Sequence, residues 1–142
     1  LPHQFRATVA DMKASLRGYT DAVQGRFDLS PVEEELGRLD EALARLEAAS
    51  AVPTDVHNEA IRRLSRILVR LHFATGDPFR QDPALQVPPL PSLAAAKHLA
   101  GLAPGTPEFQ FALNSLTRGR NRVVFGLREA RRIIEDALKS AC

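Results

Sequence analysis

Residues 55–91 read DVHNEAIRRLSRILVRLHFATGDPFRQDPALQVPPLP, an amphipathic stretch followed by a proline-rich one. In the first part, apolar residues recur with the i, i+3, i+4, i+7 spacing of a helix that faces a core. They are Val56, Ala60, Ile61, Leu64, Ile67, Leu68 and Leu71. The spacing predicts a helix over about residues 55–75, with Thr54 or Asp55 as its N-cap. We expect the helices before it to pack on this apolar stripe and those after it to close a bundle.

The proline-rich part of this stretch interrupts regular structure. Prolines at positions 78, 83, 88, 89 and 91 exclude a helix or a central strand, because proline lacks the backbone N–H and fixes φ. Residues 76–91 are therefore predicted to run extended over a surface. A long irregular segment within a compact domain usually serves a function or an interface. This segment is the first candidate for contact with another protein surface.

The rest of the chain predicts four more helices, over about residues 4–25, 31–50, 92–100 and 107–139. Gly25 is expected to end the first, because glycine accepts the left-handed conformation that ends helices. At the start of the second, Ser30 as N-cap, Pro31 at N1 and Glu33 at N3 match a capping box. Its apolar seam consists of Val32, Leu36, Leu39, Leu43 and Leu46.

The last helix is predicted to be continuous. Thr106 and Pro107 supply its N-cap and N1 proline. Its seam keeps one phase across Gly119 and Gly126, with only Arg120 off the pattern, although each glycine weakens a helix by up to about 1 kcal/mol relative to alanine. The seam residues are Phe109, Leu113, Leu116, Val123, Leu127, Ala130, Ile134 and Ala137. The chain is thus predicted to be one all-α domain: a four-helix-type bundle with a proline-rich extended segment and a short extra helix between the third and last long helices.

Composition agrees with a helical domain and restricts its partners. The 142 residues suffice for one domain with its own core. With 19 Lys and Arg against 17 Asp and Glu, the charge is nearly balanced, so we expect no nucleic-acid partner despite a pI near 9.1. Cys142 is the only cysteine, which excludes an internal disulfide and a thiolate metal site. No apolar run is long enough to span a membrane, and the start at Leu1 predicts a fragment of a longer protein.

No pattern of catalytic residues is present. The histidines at positions 3, 57, 72 and 98 form no metal-binding motif, and His57 and His72 are about four helical turns apart. No serine lies in a nucleophile elbow, and no glycine-rich phosphate loop occurs. The acidic run from Glu33 to Glu35 is interpreted as a first helical turn that complements the helix dipole. We therefore predict no catalytic and no metal-binding residue in this chain.

Several strings together resemble one domain family. They are the opening LPHQFR (residues 1–6) before an amphipathic helix, the Arg-rich helix Asn58–Thr75 that reaches GDPFR (76–80), the extended DPALQVPPLP (82–91) and the final RGRNRVV (118–124). In this order they resemble the transferrin-receptor-like dimerisation domain. That domain is the C-terminal helical module of zinc aminopeptidases and carboxypeptidases of the glutamate carboxypeptidase II type, and of the transferrin receptor.

The resemblance implies a non-catalytic module that forms a homodimer and packs against the peptidase domain of its own chain. The zinc ions and the general-base glutamate of such an enzyme would lie in that domain, and the family favours an extracytoplasmic location. The segment expected to face the peptidase domain or the second subunit comprises Phe79, Arg80, Gln81, Asp82, Leu85, Val87 and Leu90. Because this segment lacks the Lys-Tyr pair that contacts the substrate in the carboxypeptidases, the resemblance does not imply glutamate specificity.

An alternative from another class is a free-standing helical adaptor. Its arginines would bind a protein partner or a polyanion, and the candidate residues are Arg62, Arg63, Arg66, Arg118, Arg120 and Arg122. This hypothesis predicts salt-dependent binding to polyanions.

Overall fold

The computed structural model describes residues 2–71 and 93–141, and these residues form five helices and no strand. They are α1 (Pro2–Val23), α2 (Ser30–Ala48), α3 (Thr54–Leu71), α4 (Leu93–Gly101) and α5 (Pro107–Lys139). The all-α prediction is confirmed, and so is the single long helix at the end of the chain. The predicted end of the third helix at about residue 75 and the proline-rich segment lie outside the described residues.

Contacts between side chains fix the directions of the four long helices. Near the start of α1, Arg6 lies 3.2 Å from Glu47 near the end of α2, so these helices are antiparallel. Glu35 of α2 contacts Arg128 of α5, and Arg45, further along α2, contacts Glu135, further along α5, so α2 and α5 run parallel. Helix α3 runs antiparallel to α5: the end of α3 lies beside Gly126, while its start lies beside residues 133–137.

Helix α5, rather than α3, is the element on which the others pack. It contacts α2, α3 and α4, whereas α1 contacts α2 and α4 and only slightly α3. The expectation that α1 and α2 pack on the stripe of α3 is therefore wrong. The reason is length: with 33 residues α5 is about 50 Å long, so α3 covers only part of it and α4 packs on it as well.

The predicted apolar seams form the core. All five seam residues of α2 are buried, and in α1 the residues at the same spacing are buried as well; these are Val9, Met12, Leu16, Tyr19 and Val23. In α3, Ala60, Leu64, Leu68 and Leu71 are buried, while Val56, Ile61 and Ile67 are partly buried at the edge. Val52, in the connection between α2 and α3, is also buried. The core is thus one apolar cluster shared by all five helices.

The helix ends confirm some capping predictions and correct one. Thr106 is the N-cap of α5, and its Oγ1 accepts a hydrogen bond from the Phe109 N–H at 3.2 Å, as predicted. The predicted capping box of α2 is wrong, because Ser30 is already helical and Leu29 is the N-cap without a side-chain bond. Asp28 supplies the polar contact instead: its Oδ1 accepts from the Ser30 N–H at 2.9 Å. Hydrogen bonding from the Ser30 side chain and from this N–H lowers the pKa of the Asp28 carboxyl.

Two further helix ends follow from backbone conformation. Helix α1 ends at Val23, and the next residues, Gln24 and Gly25, have φ values of 51° and 75°. This left-handed pair turns the chain toward α2, so the predicted stop at Gly25 is displaced by only two residues. Helix α3 begins with Thr54, and Asp55 lies in its first turn, so neither residue is the flanking cap.

Gly126 has a packing role that its helix-weakening effect does not suggest. A Cβ atom at this position would lie 2.9 Å from Leu71 Cδ1 and 3.1 Å from Leu71 Cδ2. Such distances are shorter than van der Waals contact, so the missing side chain allows the end of α3 to approach α5 closely.

Candidate interaction surface

Seven residues are predicted to face another domain or subunit. Phe79, Arg80, Gln81, Asp82, Leu85, Val87 and Leu90 all lie outside the described residues, as do His72 and Cys142. Any surface that the structure itself supports must therefore come from residues 2–71 and 93–141.

Two large apolar side chains are strongly exposed in the described part of the chain, and both lie on α5. They are Phe111 and Phe125, with 72% and 67% of their surface accessible. They are fourteen residues apart, which is about four turns, so they lie on the same side of the helix. That side is opposite the one that buries Leu116, Val123 and Leu127. Exposed aromatic side chains on one helix face mark a candidate surface for protein contact.

Charged residues complete this face of α5. Between the phenylalanines lie Arg118 and Arg122, and beyond them lie Glu129 and Arg132. Together with the two phenylalanines they form a surface that we call the outer stripe: Phe111, Arg118, Arg122, Phe125, Glu129 and Arg132. All except the partly buried Glu129 are exposed. Arg132 donates to Glu129 at 2.6 Å within the stripe, while Arg118 is only 3.5 Å from the Ser115 hydroxyl. The stripe thus presents aromatic rings, cations and one carboxylate to solvent.

The structure divides the six arginines of the adaptor hypothesis. Arg62 forms two hydrogen bonds to Glu59, at 3.0 and 2.6 Å. These bonds raise the pKa of Arg62 and lower that of the Glu59 carboxyl. Arg120 donates to the Asp28 carbonyl at 2.9 Å, and its guanidinium lies 4.9 Å from the centre of the Phe27 ring. Arg120 therefore links α5 to the turn between α1 and α2. These contacts explain why an arginine occurs within the apolar seam of α5.

The remaining arginines do not form one continuous basic patch. Arg63 lines a shallow groove of about 350 Å³ between α3 and α5, together with Asp55, Glu59 and Asp136. Arg118 and Arg122 lie eighteen and fourteen residues before Asp136 on α5, or about 27 and 21 Å along its axis. Carboxylates thus lie beside Arg62 and Arg63 of α3, and a polyanion there would have to approach both signs of charge.

Glu35 is a buried carboxylate that the sequence analysis misinterpreted. Its side chain is only 2% exposed, and its Oε1 accepts hydrogen bonds from Arg38 Nη1 and Arg128 Nε, each at 3.1 Å. Its Oε2 lies 3.6 Å from Arg131 Nη2. Only Glu33 belongs to the acidic first turn of α2. Glu35 instead links α2 to α5 through a cluster of guanidinium groups, which is a structural role.

The histidines do not assemble into a metal site in the described residues. His3 and His98 are exposed and His57 is partly buried. Within residues 2–71 and 93–141, no three His, Cys, Asp or Glu side chains are grouped so that they could hold a metal ion. Over the same ranges, none of the helices combines the length and the apolar character needed to cross a membrane.

Comparisons of this chain with models of protein families, with curated proteins and with solved structures found no match. The resemblance to the transferrin-receptor-like dimerisation domain therefore stays a prediction that rests on the strings quoted above.

Proposed function

We propose that this chain is a homodimerisation module without catalytic activity of its own, which joins two subunits of a zinc-dependent metallopeptidase resembling glutamate carboxypeptidase II. The observation that carries the proposal is the outer stripe of α5, with its two exposed phenylalanines on the side opposite the core. The ordered strings that resemble the dimerisation domain supply the class of parent enzyme.

Exposure of apolar surface to water is unfavourable. A single exposed apolar side chain is common and needs no explanation. Burying a phenylalanine side chain, however, is worth about 1.5–3 kcal/mol, and two such residues on one helix face can contribute together to one interface. Aromatic residues and arginine are also the residue types enriched in the centres of protein interfaces. The outer stripe contains both types.

The same proposal gives the helical module and the peptidase domain of the parent enzyme different roles. The zinc ions and the general base belong to a peptidase domain outside these 142 residues, and the helical module holds two such domains in a fixed arrangement. The Phe79–Leu90 segment is expected to contact the peptidase domain or the second subunit. An amino- or carboxypeptidase of this class needs no catalytic residue from the module.

The adaptor hypothesis receives less support from the contacts. Arg62 and Arg120, two of its six candidate residues, are engaged by Glu59 and by Asp28 and Phe27. Arg63 shares its groove with three carboxylates. A polyanion would therefore have to displace internal contacts or accept repulsion, whereas a protein surface can match both the charges and the aromatic rings.

The test of the proposal is the mass of the chain in solution. Light scattering and sedimentation equilibrium, over a wide range of protein concentration, are expected to show a mass that approaches twice the monomer value of 15.6 kDa. A mass that stays at the monomer value at the highest concentration would refute dimerisation by this chain. Retention on heparin at low salt, with loss at moderate salt, would instead favour the adaptor.

A further inference from the structure

We propose that the dimer forms by antiparallel contact of two α5 helices along their outer stripes, with the two-fold axis at the level of Val123 and Val124. The inference rests on the proposed homodimerisation and names its interface. The occupant of the stripe is therefore a second copy of this chain, and the interface is the same patch on both copies, as a two-fold dimer requires.

Helix length suggests the level of the axis. Helix α5 extends from Pro107 to Lys139, so its midpoint lies at Val123. A two-fold axis at the midpoint lets two antiparallel helices overlap over almost their whole length of about 50 Å. Any displacement of the axis shortens the overlap and removes apolar surface from the contact. Val123 and Val124 are themselves buried in the core, so the contact is made by the exposed residues on either side of them.

This level also brings complementary groups together. With the axis between Val123 and Val124, Arg118 faces Glu129 of the second copy, and Arg122 faces Phe125 of the second copy. The first pair is an ion pair and the second places a guanidinium over an aromatic ring. Phe111 lies at the level of Asp136 of the second copy, between its Arg132 and Lys139, so this ring meets charges of both signs. Each contact occurs twice because the dimer is symmetric.

Other arrangements of the same two stripes are repulsive. In a parallel two-fold pair every residue meets its own copy, so Arg118, Arg122 and Arg132 would each face an identical charge. In an antiparallel pair with the axis about one turn closer to Phe111, Arg118 would face Arg122 of the second copy. Like charges in direct opposition destabilise a helix contact. The charges of the stripe thus select the register that the helix length also favours.

A charge-swap series tests this register. Arg118→Glu alone and Glu129→Arg alone each place like charges opposite each other twice, and each is expected to weaken the dimer about fourfold or more. The double variant R118E/E129R restores both ion pairs and should recover the wild-type dissociation constant, measured by sedimentation equilibrium. Phe125→Ala removes both ring contacts with Arg122 and should weaken the dimer about fivefold or more. Arg66→Glu, an exposed charge reversal on α3 outside the stripe, is the matched control and should change nothing.

Disulfide mapping gives a readout that does not depend on affinity. In a Cys142→Ser background, a mixture of R118C chains and E129C chains is expected to form a covalent dimer on mild oxidation. R118C chains alone should not, because the two positions 118 are eleven residues apart along the axis, or about 16 Å. A disulfide needs Cα atoms within about 7 Å. Circular dichroism of each variant checks that the helices are intact.

The outcomes separate this inference from the proposed function. A wild-type chain that dimerises, with no effect of the charge swaps and no disulfide between positions 118 and 129, would overturn the interface while leaving homodimerisation in place. A wild-type chain that stays monomeric overturns both. Rescue by R118E/E129R, together with the specific covalent dimer, is the result that supports the interface.

Discussion

Replacement of Gly126 by alanine tests the contact between α3 and α5. Two opposing effects decide its result. Alanine in a helix interior is more favourable than glycine by about 1 kcal/mol. The added methyl, however, would lie 2.9 and 3.1 Å from the two δ carbons of Leu71 and 3.4 Å from its Cγ. Because both branches of a buried leucine are affected, the Leu71 side chain or α3 must move.

Gly37→Ala provides the matched control. Gly37 lies in the interior of α2, and a Cβ atom there meets nothing within 4 Å. Its replacement should therefore show the helix-propensity gain alone, about 0.5–1 kcal/mol. Overpacking a core costs about 1–3 kcal/mol. Since the propensity gain is common to both variants, G126A should be less stable than G37A by about 1–3 kcal/mol.

Urea unfolding followed by circular dichroism measures this difference. All variants are compared at one protein concentration, because self-association would add to the apparent stability. Leu71→Ala in the G126A background makes room for the added methyl, so the two changes should be non-additive. Equal stabilisation by G126A and G37A, with additive effects of L71A, would refute the argument that Gly126 is needed for close helix packing.

Further predictions concern single side chains. Burial raises the pKa of Tyr19 from 10.0 to about 12, so the folded state favours the neutral phenol. The resulting stability is present below about pH 10 and should be lost, by roughly 2–3 kcal/mol, as the pH rises from 10 to 12. Tyr19 is the only tyrosine, so tyrosinate absorbance reports its titration directly, and Y19F should abolish this part of the alkaline destabilisation. Glu35→Gln should lower the stability of the fold against urea by about 1–3 kcal/mol, because it removes the negative charge that Arg38, Arg128 and Arg131 surround. Glu34→Gln, at an exposed position, should have little effect. Equal effects of the two changes would contradict the structural role of Glu35. Thr106→Ala should cost about 1 kcal/mol through loss of the N-cap. Ser30→Ala, whose hydroxyl contacts the exposed Asp28 carboxylate but caps no helix N–H, should cost less in the same assay.

The helices were predictable because the helical spacing of apolar residues recurs several times within each one. In α2, five apolar residues at spacings of four and three fix both the helix and the face that it buries. At the start of α5, Thr106 acts through its hydrogen bond with the Phe109 N–H and Pro107 through its fixed φ, so the local sequence suffices. The predicted N-cap of α2 was wrong, also because of a local contact. Asp28, two residues before Ser30, accepts the hydrogen bond from the Ser30 N–H.

The arrangement of the helices was not predictable from these signals. An apolar stripe predicts that a helix packs against the core, but it does not predict which helix will be its neighbour. The stripe of α3 was the most regular in the sequence, yet the length of α5 makes that helix the common neighbour of α2, α3 and α4. Gly126 shows the same limit, since its effect depends on Leu71, fifty-five residues away in the chain.

Residues that break the phase of a seam prove the most informative for function. Glu35 and Arg120 are charged residues on buried faces, and each has partners within the chain: guanidinium groups for Glu35, and Asp28 and Phe27 for Arg120. Phe111 and Phe125 are the opposite case, apolar residues on a solvent face, and each remains about two-thirds or more exposed. A charged residue inside the bundle finds partners within the fold, whereas an aromatic residue outside it gains only from a second surface. That asymmetry favours a protein partner over a polyanion without aromatic groups, such as heparin, because heparin would use Arg118 and Arg122 but leave the phenylalanine rings in water.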